Sequence, residues 1–377
     1  MKKIMKPNLV CCLLIIVFYS CNNNTLAVTA EILMNNAQPP CWERVEKAGW
    51  TYFSIPDKVY PEVDSIRFII SKPFNPENPT IFFLQGSGNY PVVEYYDYPD
   101  GTSKQWTQTP PFPVNEYMKN YNFVSIAKPG TLICKQSSEH PLIDTAFGNF
   151  RLFYKHDFMD YYVAQLNQVV DFIRKKSRSN TPFFFIGGSQ GGRVVTKFAE
   201  KYPQKVQKLV IQSSSILDRS VENIYQNRHL VDLGKISSEE AQKRIDLEYE
   251  WYQFKKDYSS DFPFKYDSTK TRFSEHRHYS MMTDASWNFD PILFQLQHLN
   301  MPILVVYGTA DLKARDNDLL PLFFTRWGKK NLTMMPVLDA DHIFFRTIID
   351  KETNEQKREY IGKVVFVDIE KWLSTEE

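Results

Sequence analysis

Net charge is almost absent from this chain: 45 Lys and Arg face 44 Asp and Glu over 377 residues, a formal balance of +1. Nothing in that balance offers an electrostatic footprint for nucleic acid or an acidic polymer, and no nucleic-acid partner is expected. Internal repeats and low-complexity tracts are missing too, so the chain reads as an ordinary globular sequence. There is no His-Glu-X-X-His, and His276-Arg277-His278 sits in a charged segment that reads as solvated, so no metal centre is expected. No apolar run approaches the roughly 20 residues that a membrane-spanning helix needs. Cysteine is scarce, with five in all. What the chain does have is 43% hydrophobic residues, enough for one large core with an appended element, or for two modest domains.

The N-terminus carries Lys2, Lys3 and Lys6 before an apolar run from Leu9 to Tyr19. That is the layout of a signal peptide over residues 1–20, and it predicts export. Phe18-Tyr19-Ser20-Cys21 followed by Asn22-Asn23-Asn24 resembles a bacterial lipobox, with Phe18 where Leu is usual. Cys21 is the residue such a site would lipidate, which would place the protein in the periplasm or at the cell surface on a lipid anchor. Ordinary cleavage near Ala27-Val28-Thr29-Ala30 is the alternative. Residues 21–40 read as a tether. Cys41 and Cys134 then remain in the exported domain, where they could form a disulfide or stay as two buried thiols.

From there, short apolar runs alternate with helical patterns. Ile66–Ile70, Ile81–Leu84, Phe123–Ala127, Phe183–Ile186, Leu209–Gln212 and Ile303–Tyr307 read as strands, several with no polar residue. Such continuous apolarity marks strands covered on both faces, as in a parallel sheet between helices. Between them Phe158, Tyr162, Leu166, Val169 and Ile173 recur at helical spacing, as do Val194, Val195, Phe198 and Ala199. The pattern predicts an α/β doubly wound architecture over residues 41–215 and 300–377. Its rhythm stops over residues 216–299, which read as a largely helical insertion. A helix is expected from Ser238 to Tyr252, and the aromatics there, such as Tyr249, Trp251, Phe262, Phe264, Tyr266, Tyr279 and Trp287, could line a pocket or form the insertion's own core. A second cluster, Tyr90, Tyr95, Tyr96, Tyr98 and Trp106, leaves the same choice open.

The chemistry concentrates at Thr181-Pro-Phe-Phe-Phe-Ile-Gly-Gly-Ser-Gln-Gly-Gly-Arg193. A serine at the apex of a strand-to-helix turn needs neighbours without side chains, and Gly187 and Gly191 flank Ser189 at two residues on either side. The amide of Gln190, at the helix start, would face a developing oxyanion. A serine hydroxyl needs a base, and the base an orienting acid. Asp311 falls just past the strand Ile303–Tyr307 and His342 just past the strand-like Leu332–Leu338, at strand ends where open α/β sheets gather their sites. Asp316, Asp318, Asp339 and Asp341 compete for the acid's role, but two fall in or near a helix and Asp341 adjoins the histidine. A second oxyanion donor is expected from the turn Gln85-Gly86-Ser87-Gly88, the Ser87 amide ahead of Gly86.

On these residues, about 66–215 and 300–375 resemble the α/β-hydrolase superfamily, with the intervening stretch in the position of its lid or cap. The Gly-Gly-Ser-X-Gly-Gly elbow is similar to those of prolyl-oligopeptidase-like and proline-iminopeptidase-like peptidases and of many esterases. Gln85-Gly86 stands where lipases and esterases commonly have His-Gly, a departure a main-chain donor tolerates. The resemblance implies a serine hydrolase without a cofactor, acting on a small ester or, alternatively, a short peptide. For an aminopeptidase, Glu239, Glu240, Glu248 or Glu250 should turn toward the site to hold a free amine. A surface lipoprotein that uses the fold only for binding is the remaining alternative.

Overall fold

The structure is a computed structural model and describes residues 39–97, 103–107, 119–137, 149–258, 267–269, 274–349 and 355–375. The expected signal peptide, nearly all of the tether, Cys21, Tyr98, Phe262, Phe264 and Tyr266 lie outside the described residues. Helix α1 (Pro39–Lys47) leads into β1 (Trp50–Pro56), β2 (Ser65–Ser71), β3 (Thr80–Leu84), β4 (Val93–Asp97), β5 (Ser103–Thr107), β6 (Asn122–Ile126) and β7 (Cys134–Ser137). Helices α2 (Phe150–His156) and α3 (Met159–Arg174), strand β8 (Phe183–Gly188), helix α4 (Gln190–Lys201) and strand β9 (Lys208–Gln212) follow. Then come α5 (Arg219–Asp232), α6 (Ser238–Tyr258), α7 (Glu275–Asn288) and α8 (Ile292–Leu296). The chain ends with β10 (Ile303–Gly308), α9 (Leu320–Arg326), β11 (Leu332–Val337), β12 (Phe345–Ile349), β13 (Gln356–Tyr360) and α10 (Gly362–Leu373).

Eight strands form one sheet in the order β1-β2-β6-β3-β8-β9-β10-β11. Only β2 runs against the others; every pair from β6 to β11 is parallel. The continuously apolar segments occupy the middle of that sheet because each must be covered twice. Along β8, Phe183 and Phe185 enter one core with Phe82 of β3 and Val194 and Phe198 of α4. Phe184 and Ile186 enter the opposite core with Phe366 and Ile369 of α10. This is the two-residue period of a strand expressed as two hydrophobic layers. Full burial of one such phenylalanine stabilises the fold by roughly 1.5–3 kcal/mol. The Phe82 and Phe185 rings stack at 4.9 Å and tie β3 to β8.

All the expected strands and the helix at α3 form. The structure adds β1, the small sheet β5-β4-β7 and the hairpin β12–β13. These carry mixed or exposed residues, as in β13, which is exposed throughout, so apolar continuity did not mark them. Helix α6 starts at the expected Ser238, with the Ser237 hydroxyl accepting from the Glu240 amide. It runs on to Tyr258, beyond the expected Tyr252. The aromatics of residues 216–299 divide: Tyr249 and Trp251 are exposed, whereas Tyr279 and Trp287 join the core that contains Tyr162. Buried Arg193 of α4 fastens these helices to the sheet layer, donating to the Trp287 carbonyl at 2.7 Å and facing Glu222 of α5 at 3.6 Å. No helix among the described residues is long and apolar enough to cross a membrane.

Candidate active site

Strand β8 ends in Gly187-Gly188, and α4 begins one residue after Ser189. Ser189 has φ 50° and ψ −117°, a left-handed backbone that an L-residue holds only under compulsion. The compulsion is packing on both sides. A Cβ on Gly187 would stand 2.2 Å from the Gly191 carbonyl oxygen, and one on Gly191 would stand 2.1 Å from that of Leu84 at the end of β3. Glycine at both positions lets the turn close, and the closed turn lifts Ser189 above the sheet's carboxyl edge. The Ser189 amide, donating to the Gln212 carbonyl at 2.8 Å, anchors the elbow to β9.

The elements after β10 and β11 bring the other two groups. His342 Nε2 lies 3.1 Å from Ser189 Oγ, and its Nδ1 lies 2.7 Å from Asp311 Oδ2. With Nδ1 protonated toward the carboxylate, Nε2 is left as the acceptor for the serine proton. The Lys313 amide donates to the second carboxylate oxygen of Asp311 at 2.9 Å, and Asp311 itself is buried. Three of the four competing carboxylates are committed elsewhere. Asp316 accepts from Ser215 and from the Leu217 amide, Asp318 accepts from Tyr307, and Asp341 accepts from the amides of Ile343 and Phe345 and pairs with Arg358. Asp339, exposed at φ 59°, uses its amide to bond Thr309.

Gly86 lies against the serine: a Cβ there would come 3.3 Å from Ser189 Cβ and 3.9 Å from its Oγ. Ser87 follows at the exposed tip of that turn. The Gln190 amide is one of the first of α4 and has no partner within the helix. Under this turn lies a buried polar group that sequence reasoning missed. Lys128, in the loop after β6, places Nζ 2.6 Å from the Gly86 carbonyl and 2.5 Å from Gln190 Oε1. Gln190 Nε2 donates to Asp157 Oδ1 at 3.1 Å, and the Tyr162 hydroxyl donates to the same oxygen at 2.8 Å. Burial pulls the Lys128 ammonium down to about 8 against the opposing pull of Asp157, and burial also drives the Tyr162 phenol far up.

Cys41 of α1 and Cys134 of β7 are joined as a disulfide, with Cα atoms 6.1 Å apart. His276 rests edge-on against Tyr154, and His278 bonds Tyr258 through Nδ1. Of the four carboxylates considered for a free amine, Glu239 and Glu240 pair with Lys243 and Arg244 on the helix surface and Glu250 is exposed. Glu248 turns inward to Ser220, Asn223 and Lys255.

The family described as serine aminopeptidase, S33, matches residues 151–335, a little under half of the chain. No curated protein matches. Among solved structures the chain is similar to Est1E from Butyrivibrio proteoclasticus, with 11% identity and a TM-score of 0.45 over 86% of this chain and 97% of that one. It is similar to Porphyromonas gingivalis dipeptidyl peptidase 4, with 12% identity and a TM-score of 0.41 over 78% and 33%. A third is Pyrococcus horikoshii acylaminoacyl peptidase, with 13% identity and a TM-score of 0.43 over 78% and 38%. The chain thus spans about a third, or a little more, of the length of these peptidases. The strand order with its single reversed member, the strained serine elbow and the family match over its core agree, and on them the chain is a serine hydrolase of the α/β-hydrolase superfamily.

Proposed function

We propose that the protein cleaves a carboxylic ester by acyl transfer through Ser189, His342 and Asp311. The observation that carries this reading is the unbroken hydrogen-bonded line from Asp311 Oδ2 through the His342 ring to Ser189 Oγ. His342 Nε2 takes the serine proton as Oγ attacks the acyl carbon. The amides of Gln190 and Ser87 stabilise the tetrahedral oxyanion, and His342 returns the proton to the departing alcohol. Water, activated by the same nitrogen, then frees the acid. Asp311 keeps the ring in the tautomer that both steps need.

A short-peptide substrate is the second reading, favoured by the description of the matching family. The carboxylates give it little support: three of the four face solvent and Glu248 is already satisfied. The helices of residues 216–299 serve, on this proposal, as a cap, and the chain is exported and lipid-anchored at Cys21. The Cys41–Cys134 bond supports the oxidising compartment that export implies.

The test uses protein lacking the first thirty residues. A fluorophosphonate probe should label it at Ser189, and nitrophenyl esters should turn over faster than aminoacyl nitroanilides. Labelling that persists in Ser189→Ala would remove the nucleophile assignment, and faster nitroanilide cleavage would exchange the two readings.

A further inference from the structure

The mechanism assigns no work to Lys128, yet its side chain is buried beneath the nucleophile's turn. Its backbone is pinned: Gln165 Nε2 donates to the Ala127 carbonyl at 3.0 Å, and the Thr131 hydroxyl donates to the carbonyl of Lys128 at 2.8 Å. The side chain passes the rings of Phe153 and Tyr162, which lie 5.9 and 5.5 Å from Nζ. It ends between two acceptors from different elements, the Gly86 carbonyl after β3 and the Gln190 side chain at the start of α4.

Peptide geometry gives this contact a chemical meaning. In a trans peptide the carbonyl of one residue and the amide of the next point in opposite directions. The only cis bond among the described residues is Lys72–Pro73. Holding the Gly86 carbonyl down on Lys128 therefore turns the Ser87 amide away from the lysine, on a turn whose Gly86 lies against Ser189. The same ammonium grips the side chain of Gln190, whose own amide is the other donor, and Asp157 fixes that side chain from its far end. One cation thus spans both halves of the oxyanion hole.

We propose that Lys128 is a positioning residue that sets both oxyanion donors by holding the Gly86 carbonyl and the Gln190 side chain on one buried ammonium. This rests on Ser189 being the nucleophile and Gln190 and Ser87 the donors. Misplacing a donor without deleting it costs less than its removal, so a loss of about 10- to 100-fold in rate is expected.

The experiment measures fluorophosphonate labelling of wild type, Lys128→Met and Lys128→Arg, because attack on phosphorus builds charge on an oxygen in the same hole and requires no knowledge of the natural substrate. Lys128→Met should label about 10- to 100-fold more slowly, the loss falling on the maximal inactivation rate with probe affinity unchanged, while Lys128→Arg recovers part of it. Thermal unfolding followed by circular dichroism gives the folded fraction. A Met variant that labels at the wild-type rate, or whose loss merely tracks its unfolded fraction, overturns the proposal. Should Lys128→Met not fold, Lys128→Arg decides: its rigid fork cannot reproduce both short contacts, so slower labelling at an unchanged Tm supports the proposal and wild-type labelling overturns it. Failure of wild type to label at Ser189 would instead refute the nucleophile assignment, a distinct result.

Discussion

At the residue scale the choice of acid is the sharpest consequence of the geometry. Asp311 is the carboxylate that reaches His342 Nδ1, while Asp316, Asp318 and Asp341 each accept hydrogen bonds from other groups. Asp311→Asn should leave the fold intact and lower kcat for a nitrophenyl ester by about 10⁴-fold, since the amide favours the wrong ring tautomer. The same change at Asp341 should lower activity by less than about tenfold, its role being to hold the loop through Ile343 and Phe345. Equal losses in the two variants would undo the assignment. Lys128 makes a second prediction, about stability. Its folded value of about 8 lies below the ordinary 10.5, so the folded state binds this proton less readily than the unfolded chain. The resulting penalty is complete below pH 8 and is relieved as pH rises from 8 toward 10.5. In urea unfolding, Lys128→Met lacks that relief, so the stability difference should move in favour of wild type by about 2–3 kcal/mol between pH 7 and pH 10. A pH-independent difference would mean that the buried amine does not titrate as its surroundings dictate.

At the scale of elements, the two cores and the elbow were legible and the polar floor was not. Strands such as Phe183–Gly188 announced themselves because burial on both faces leaves no room for polar residues. The order serine, acid, histidine could be read because each follows an apolar strand. Lys128 also follows one, β6, but a single lysine there has no motif, and its partners Gly86 and Gln190 stand 42 and 62 residues away. Strand β1, the small sheet and the β12–β13 hairpin were hidden for the opposite reason, since half-exposed segments follow local side-chain choices that apolar continuity does not report. The glycines of the elbow show how a pattern overstates what packing requires. Gly191→Ala would drive Cβ into the Leu84 carbonyl and force β3 from the turn, whereas the nearest neighbour of a Cβ on Gly188, apart from its flanking residues, is the Phe83 ring at 3.8 Å. Gly191→Ala should therefore destabilise by about 2–4 kcal/mol and abolish labelling of Ser189, while Gly188→Ala should stay within about 1 kcal/mol of wild type. Denaturant midpoints with constant m-values check both.

For the whole molecule, the site is a meeting of distant segments at one edge of the sheet. Ser189, Asp311 and His342 all come from the C-terminal side of Cys134, whereas Gly86, Ser87 and Lys128 lie within the 93-residue span between Cys41 and Cys134. That cross-link joins α1, which packs on β1 and β7, to the small sheet, so it encloses the proposed oxyanion turn and its lysine but none of the proposed proton-transfer groups. A bond across so long a span acts chiefly by restricting the unfolded chain, and its loss should cost about 2–4 kcal/mol. The double variant Cys41→Ser with Cys134→Ser should accordingly show a lower urea midpoint. Its fluorophosphonate labelling under native conditions should stay within about twofold of wild type, because the folded positions of Ser189 and Lys128 are held by packing and hydrogen bonds outside the cross-link. Wild type treated with a strong reductant should fall to the variant's midpoint. If reductant leaves the wild-type midpoint unmoved, the sulfurs are not bonded in solution and non-covalent contacts alone hold the fold. If labelling falls with the midpoint, helix α1 reaches the proposed oxyanion turn more directly than the contacts of β3 and β6 indicate.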